Sequence, residues 1–319
     1  MNNYLYIRIY FTMKKIIKFL LPTILFILLL ITPSIIKKGA INGLSIWINA
    51  LIPALLPYML FSNIVINAQL TTGMTRLALP ITRLLKISPN AAYGIIAGLF
   101  FGYPACAANL SLLIKNKQLD KEAACFCVCA FNNVSPAYLI GFVCIGLLGN
   151  TSHIIPIIIL FYISLLSSTI LIKILFFKQL KPTPCNTPIS TPRKKGIINS
   201  AIKNSLINIG LLGGYVIIFS IITEYIKSIP ISALTYTTPF IEVAGGSMAL
   251  CNSSLSFKEL IIILLPAQSF GGISGIFQTL AVDTEGFIDI KKYIYSKLLS
   301  GIICLIITAL TVYVLKIPI

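Results

Sequence analysis

The sequence predicts an all-α polytopic membrane protein of inverted repeats, with two re-entrant hairpins and about seven full spans. Three observations predict it. Charged residues make up 10% of the 319 positions, against about 25% in a soluble globular domain. Apolar residues make up 57%, and the mean hydropathy is +0.95. Apolar runs near the ~20 residues needed to cross a bilayer also recur along the chain. A soluble enzyme and a disordered chain are excluded. The net charge of +17 would suit a nucleic-acid partner on a soluble chain, but here most Lys and Arg lie between apolar runs. That pattern holds loops on the cytoplasmic side of a lipid bilayer, and no nucleic acid is expected.

The runs that can span are 16–36, 42–68, 121–149, 151–177, 204–228, 257–282 and 291–315. Two others, 91–114 and 233–252, are interrupted, the first at Gly102-Tyr103-Pro104 and the second at Gly245-Gly246. A half-run of eleven residues gives ~16 Å of helix, about half a membrane, so each interrupted run reads as a hairpin. Charge supports this. The N-terminus carries Arg8, Lys14, Lys15 and Lys18, and Arg76, Arg83 and Lys86 fall in 70–90. Lys115, Lys117 and Lys121 follow the first hairpin, and 173–203 carries seven more, from Lys173 to Lys203. All four groups lie inside only if 91–114 returns to the face it left. Lys37-Lys38, between the first two runs, falls outside and is the exception.

The second half then runs in the opposite sense. The expected organisation is a leading helix in 1–40, read as an uncleaved span, and a first repeat in 41–177. A polar cytoplasmic linker follows in 178–203, with Pro182, Pro184, Pro188 and Pro192, and an inverted second repeat in 204–319.

Backbone inside a bilayer unwinds only where it is buried in protein or faces a wet cavity. Four points invite unwinding: Gly102–Pro104, Asn132–Pro136, Gly245–Gly246 and Ser269–Gly275. Breaks at corresponding places of two halves point to a transporter's binding site, and the half-helix N-termini there attract anions. The candidate substrate-binding residues are Gly102, Pro104, Asn132, Asn133, Ser135, Glu242, Gly246, Gln268, Ser269, Gly271, Gly272 and Ser274. Each alternatively serves helix packing. Glu242, an acidic residue well inside an apolar run, is read as binding solute, carrying a proton or holding a cation; the alternative is a carboxyl bonded to a helix end.

Other chemistry is sparse. Eight cysteines contain no C-x-x-C pair and His153 stands alone, so no metal or cofactor is expected. Gly272-Ile273-Ser274-Gly275 resembles the nucleophile loop of rhomboid proteases, but no His follows Ser274 to serve as its base. The chain is therefore not expected to be an enzyme. It lacks a phosphate-binding G-x-x-x-x-G-K-[ST] loop.

Four runs carry a family resemblance: Gly98–Ala107, Phe131–Pro136, Phe240–Gly246 and Ser269–Ser274. Together they resemble the YlbJ-type sporulation integral membrane proteins of the nucleoside-recognition, or Gate, domain superfamily. One departure is Cys106, where the Gly-Tyr-Pro motif is commonly followed by Gly-Ala. The resemblance implies two hairpins in inverted repeats. It also implies movement of a small polar anion during sporulation, dipicolinic acid toward the forespore, across the outer forespore membrane. A nucleoside carrier of the same fold and a non-transporting sporulation component are the alternatives. The expected partners are a small anionic solute, a coupling proton or cation, and lipid.

Overall fold

The computed structural model describes residue 27 and residues 30–67, 71–149, 151–180 and 196–314. Every regular element among them is a helix. Most of the expected span 16–36 and the central part of the linker, 181–195, lie outside the described residues.

Some helices begin on a side-chain cap and others start on proline or at a backbone break. α1 (Pro33–Ile46) starts with proline in its first turn and passes through a wide π-type turn, Trp47–Leu51, into α2 (Ile52–Asn67). The helix α3 (Thr71–Leu84) leads to α4 (Ala91–Ile96), which a second wide turn carries to Phe101. α5 (Ala105–Lys115) follows the break at Gly102. α6 (Lys121–Phe131) is capped by Asp120, whose carboxylate accepts the Ala123 N–H at 2.7 Å. α7 (Tyr138–Leu147) and α8 (Ile154–Phe176) complete the first half, and His153 sits in the short turn before α8.

In the second half α9 (Ile197–Lys227) precedes α10 (Thr238–Ile241) and α11 (Val243–Cys251). α12 (Phe257–Phe270) opens on a reciprocal cap, Ser256 with Glu259. α13 (Gly272–Ala281) continues from it after Gly271, and Asp289 caps α14 (Ile290–Ala309).

Five helices are long and apolar enough to cross a membrane: 33–61, 154–176, 197–227, 257–281 and 290–313. The expected run 121–149 is not one helix, because Asn132–Pro136 separates α6 from α7. Pro136 removes a backbone donor there, so the helical ladder cannot pass through. The boundary expected at Lys37-Lys38 is also corrected. Both lysines lie inside α1, which starts four residues earlier at Pro33.

α1 packs antiparallel on α9. A β-carbon at Gly39 would lie 2.6 Å from Ile221 Cα, and one at Gly43 would lie 2.7 Å from Ile217 Cα. Trp47 covers Gly213, and its indole N–H donates to Ile209 O at 2.9 Å. Small residues thus let two backbones touch. Lys38 forms an ion pair with buried Glu224, which also accepts from Asn42 at 3.3 Å. α8 and α14 likewise run antiparallel, with the Lys292 ammonium 4.8 Å above the Phe177 ring.

Several basic segments share one end of the bundle. Lys121 donates to Glu285 O at 2.6 Å and Asn90 to Gln118 O at 2.7 Å. Lys173 closes the end of α8 on Phe177 O and Leu180 O. α4 and α5 fold back on one another, with Tyr93 OH donating to Asn109 Oδ1 at 3.4 Å and Gly94 against Leu110. Water-soluble labels at positions 86, 121 and 285 are therefore expected to react from one membrane face, and a label at 38 from the other. Opposite faces for 86 and 121 would contradict the fold-back.

Candidate functional site

Three of the four expected breaks occur where the sequence places them, each with a local cause. Gly102 adopts φ +72°, which an L side chain resists. The Asn132–Pro136 segment lies between two helices, and Ser135 Oγ accepts the Tyr138 N–H at 3.2 Å to start the next. Gly271, at φ +84°, ends α12 and permits the turn into α13. The fourth break is corrected. It falls at Glu242, which is extended (φ −134°, ψ 117°), not at Gly245–Gly246, which lie in the first turns of α11. Glycine marks close packing there: a β-carbon on Gly246 would run into the Thr238–Pro239 backbone.

The four breaks meet. Tyr103 N–H donates to Asn133 O at 3.2 Å, and Gly102 lies against Ser135 N. A β-carbon at Gly275 would lie 3.0 Å from the Tyr103 ring, and one at Gly271 would lie 3.5 Å from it. A β-carbon at Gly272 would meet Val243 at 2.8 Å and Ile241 O at 3.3 Å. The turn of each fold-back therefore rests on the α12–α13 break, and the first also rests on the α6–α7 break.

Beside this junction is a cavity of about 300 Å³. Gly102, Tyr103, Ser135, Tyr138, Glu242 and Gln278 form its junction side. Asn63 of α2, Asn109 of α5, and Asn204 and Asn208 of α9 add carboxamides. Tyr138 and Gln278 are buried, and the Tyr138 hydroxyl and Gln278 Oε1 have no protein partner.

Of the residues singled out in the sequence, Gly102, Ser135 and Glu242 line the cavity, and Pro104 is flanked by two that do, Tyr103 and Ala105. The other eight do not line it, and their hydrogen bonds and close approaches are made within the protein. Asn132 Nδ2 donates to Thr279 Oγ1 at 2.8 Å and to Tyr293 OH at 2.9 Å. Asn133 Oδ1 accepts from Lys297 at 2.6 Å. Gln268 reaches Ser247 at 2.8 Å, Ser269 reaches Ser300 O at 3.1 Å, and Ser274 accepts from Gln278 at 3.0 Å. Gly246, Gly271 and Gly272 supply close approach and turning, and Cys106 tucks its thiol 3.6 Å from Gly94 O.

Glu242 is 3% exposed, and its carboxylate accepts from the N–H groups of Ala244, at 3.0 Å, and Gly245. It caps its own helix while facing the cavity. The α11 N-terminus is thus already filled by a carboxyl group, and Ser135 fills part of that of α7. The uncapped N-terminus at the cavity is that of α5, where Ala105 lines the wall.

Sequence reasoning missed Lys297, which is 1% exposed and donates to Asn132 O at 3.0 Å as well as to Asn133. It falls within the expected run 291–315, where the sequence assigns it no role; with the helix starting at Ile290, it sits about 10 Å inside. Glu224 was missed likewise, at the end of a run. Among the described residues, Glu224, Glu242 and Lys297 are the buried charged side chains.

No protein-family model matches the chain, and no solved structure matches it. It is similar to the sporulation integral membrane protein YlbJ of Bacillus subtilis (strain 168), at 22% identity over 300 positions, covering 82% of this chain and 74% of the relative. With the five long apolar helices, this likeness describes a membrane protein and supports the YlbJ-type resemblance that the four motifs carry.

Proposed function

We propose that this chain is a sporulation membrane component that carries a small polar anion, dipicolinic acid, toward the forespore across its outer membrane. One observation carries the reading. Four helix breaks, two from each half, converge beside one cavity, where carboxamides and hydroxyls stand among apolar side chains such as Leu51, Leu55 and Met59. Irregular backbone at membrane depth is tolerated where it lines a wet path, and paired breaks mark the solute sites of inverted-repeat carriers. The antiparallel pairing of α1 with α9, and of α8 with α14, supports oppositely oriented repeats over 41–177 and 204–319. At about 300 Å³, the cavity is at the small end of ligand sites.

Asn204 and Asn208 in the lining can give amide N–H groups to a carboxylate, and Ala105 at the α5 N-terminus lines the same cavity. Glu242 repels a dianion, so movement is coupled to a proton or cation that offsets its charge. A nucleoside is the second reading. The lining amides Asn63, Asn109, Asn204, Asn208 and Gln278 are neutral and both donate and accept, as ribose hydroxyls and base edges require. Purified protein in vesicles distinguishes the two. Labelled dipicolinate uptake should be competed by unlabelled dipicolinate and not by uridine, and sporulating cells lacking the gene should hold at least ten-fold less dipicolinate. Uptake competed by uridine alone would favour the nucleoside. Normal dipicolinate content with no uptake of either would leave a non-transporting component.

A further inference from the structure

We propose that Lys297 is the positioning residue that sets the shape of the solute site, by fastening the unwound Asn132–Ser135 segment from behind. This rests on the transport reading for its consequence, though not for its geometry. The Lys297 Nζ lies wholly inside the protein and donates to Asn132 O at 3.0 Å and Asn133 Oδ1 at 2.6 Å. Asn132 follows the last residue of α6, so its carbonyl has left the helical ladder and needs a donor.

The same fastening reaches the first fold-back. Asn133 gives its side chain to Lys297 and its backbone carbonyl to Tyr103 N–H at 3.2 Å. Two residues on, Ser135 lines the cavity and starts α7 by accepting the Tyr138 N–H. Gly271 borders this arrangement: a β-carbon there would be in ordinary contact, 3.5 Å from Lys297 Cε and from Tyr103 Cε1. One second-half lysine therefore holds first-half oxygens at a point where three breaks meet. A residue buried this deeply in an apolar helix is costly to keep charged, and packing α14 alone does not require it. Lys297 does not line the cavity, so it acts through Asn133 and Ser135 and does not contact solute.

Two readouts test this. In vesicles, Lys297→Gln should raise the dipicolinate concentration for half-maximal uptake at least ten-fold with a smaller change in maximal rate, and Lys297→Arg should return it to within three-fold. Independently of transport, Ser135→Cys should be labelled by a charged methanethiosulfonate at a rate that shifts at least five-fold when Lys297→Gln or Asn133→Ala is added. Asn133→Ala carries the test if Lys297→Gln fails to insert. Labelling within two-fold of the parent in the inserted variants overturns the proposal, whatever uptake does. A labelling shift with no dipicolinate uptake even by the parent would instead remove the transport reading and leave the positioning role standing.

Discussion

Glu242→Gln is expected to reduce solute uptake at least ten-fold while leaving the chain inserted and folded. Glu242 combines two roles at one place. Its carboxylate accepts the Ala244 and Gly245 N–H groups, and the same side chain lines the cavity. Glutamine keeps one acceptor for the α11 N-terminus but turns an NH2 toward the second N–H. Loss of a cap of this kind costs about 1 kcal/mol, too little to unfold a bundle of this size. The effect on transport is larger because the amide can neither carry a proton nor offset a cation, and ten-fold in rate corresponds to about 1.4 kcal/mol. Glu242→Asp, which retains charge and capping chemistry, should lose less than Glu242→Gln. The pH or cation dependence of uptake should flatten in the Gln variant alone. Wild-type rates and an unchanged profile would assign Glu242 to helix capping only.

The parts of this architecture legible in the sequence are those set by composition and by single strong residues. Long apolar runs announced α8, α9 and α14, and Gly102, Pro136 and Gly271 announced three of the breaks, because each alters the backbone locally. The fourth was displaced by three residues for a tertiary reason. Gly245-Gly246 looks like a breaker, yet Gly246 is there for the backbone it touches, while Glu242 breaks the helix by capping the next one. The start of α1 is displaced because the lysine pair reads as a boundary, whereas Pro33 is the helix-start signal and Lys38 finds Glu224 on another helix. Lys297 shows the same limit. Counting charges near a span's end places them in water, and only the partner oxygens of Asn132 and Asn133, some 165 residues away, draw this one inside. The candidate site divides accordingly. Asn132, Gln268 and Ser269 were visible as polar groups in apolar runs, but whether they face the cavity or each other depends on helix rotation, which periodicity alone does not fix.

Gly246→Ala is expected to be the most damaging single-methyl change in the second fold-back. A β-carbon there would overlap Thr238 C, Thr238 O and Pro239 N, all of them backbone atoms with no rotamer to yield. Thr238 O is further committed as acceptor of the Glu242 N–H at 3.0 Å, and Gly246 N–H donates to Glu242 O at 3.0 Å, so moving either arm disturbs Glu242. Overpacking of this kind costs about 3 kcal/mol, enough to lower the melting midpoint by several degrees in detergent and to suppress uptake. Three alanine variants calibrate it. At Gly245 the nearest atoms are side-chain ends, Glu242 Oε2 and Ile46 Cδ1 at 3.0 Å, so Gly245→Ala should cost less. Gly210 and Gly214 on α9 have nothing within 4 Å, and alanine there should change stability by less than about 1 kcal/mol, in the favourable direction. If Gly246→Ala melts with Gly210→Ala and Gly214→Ala, the two arms do not touch as described, and the placement of Glu242 at the cavity falls with them.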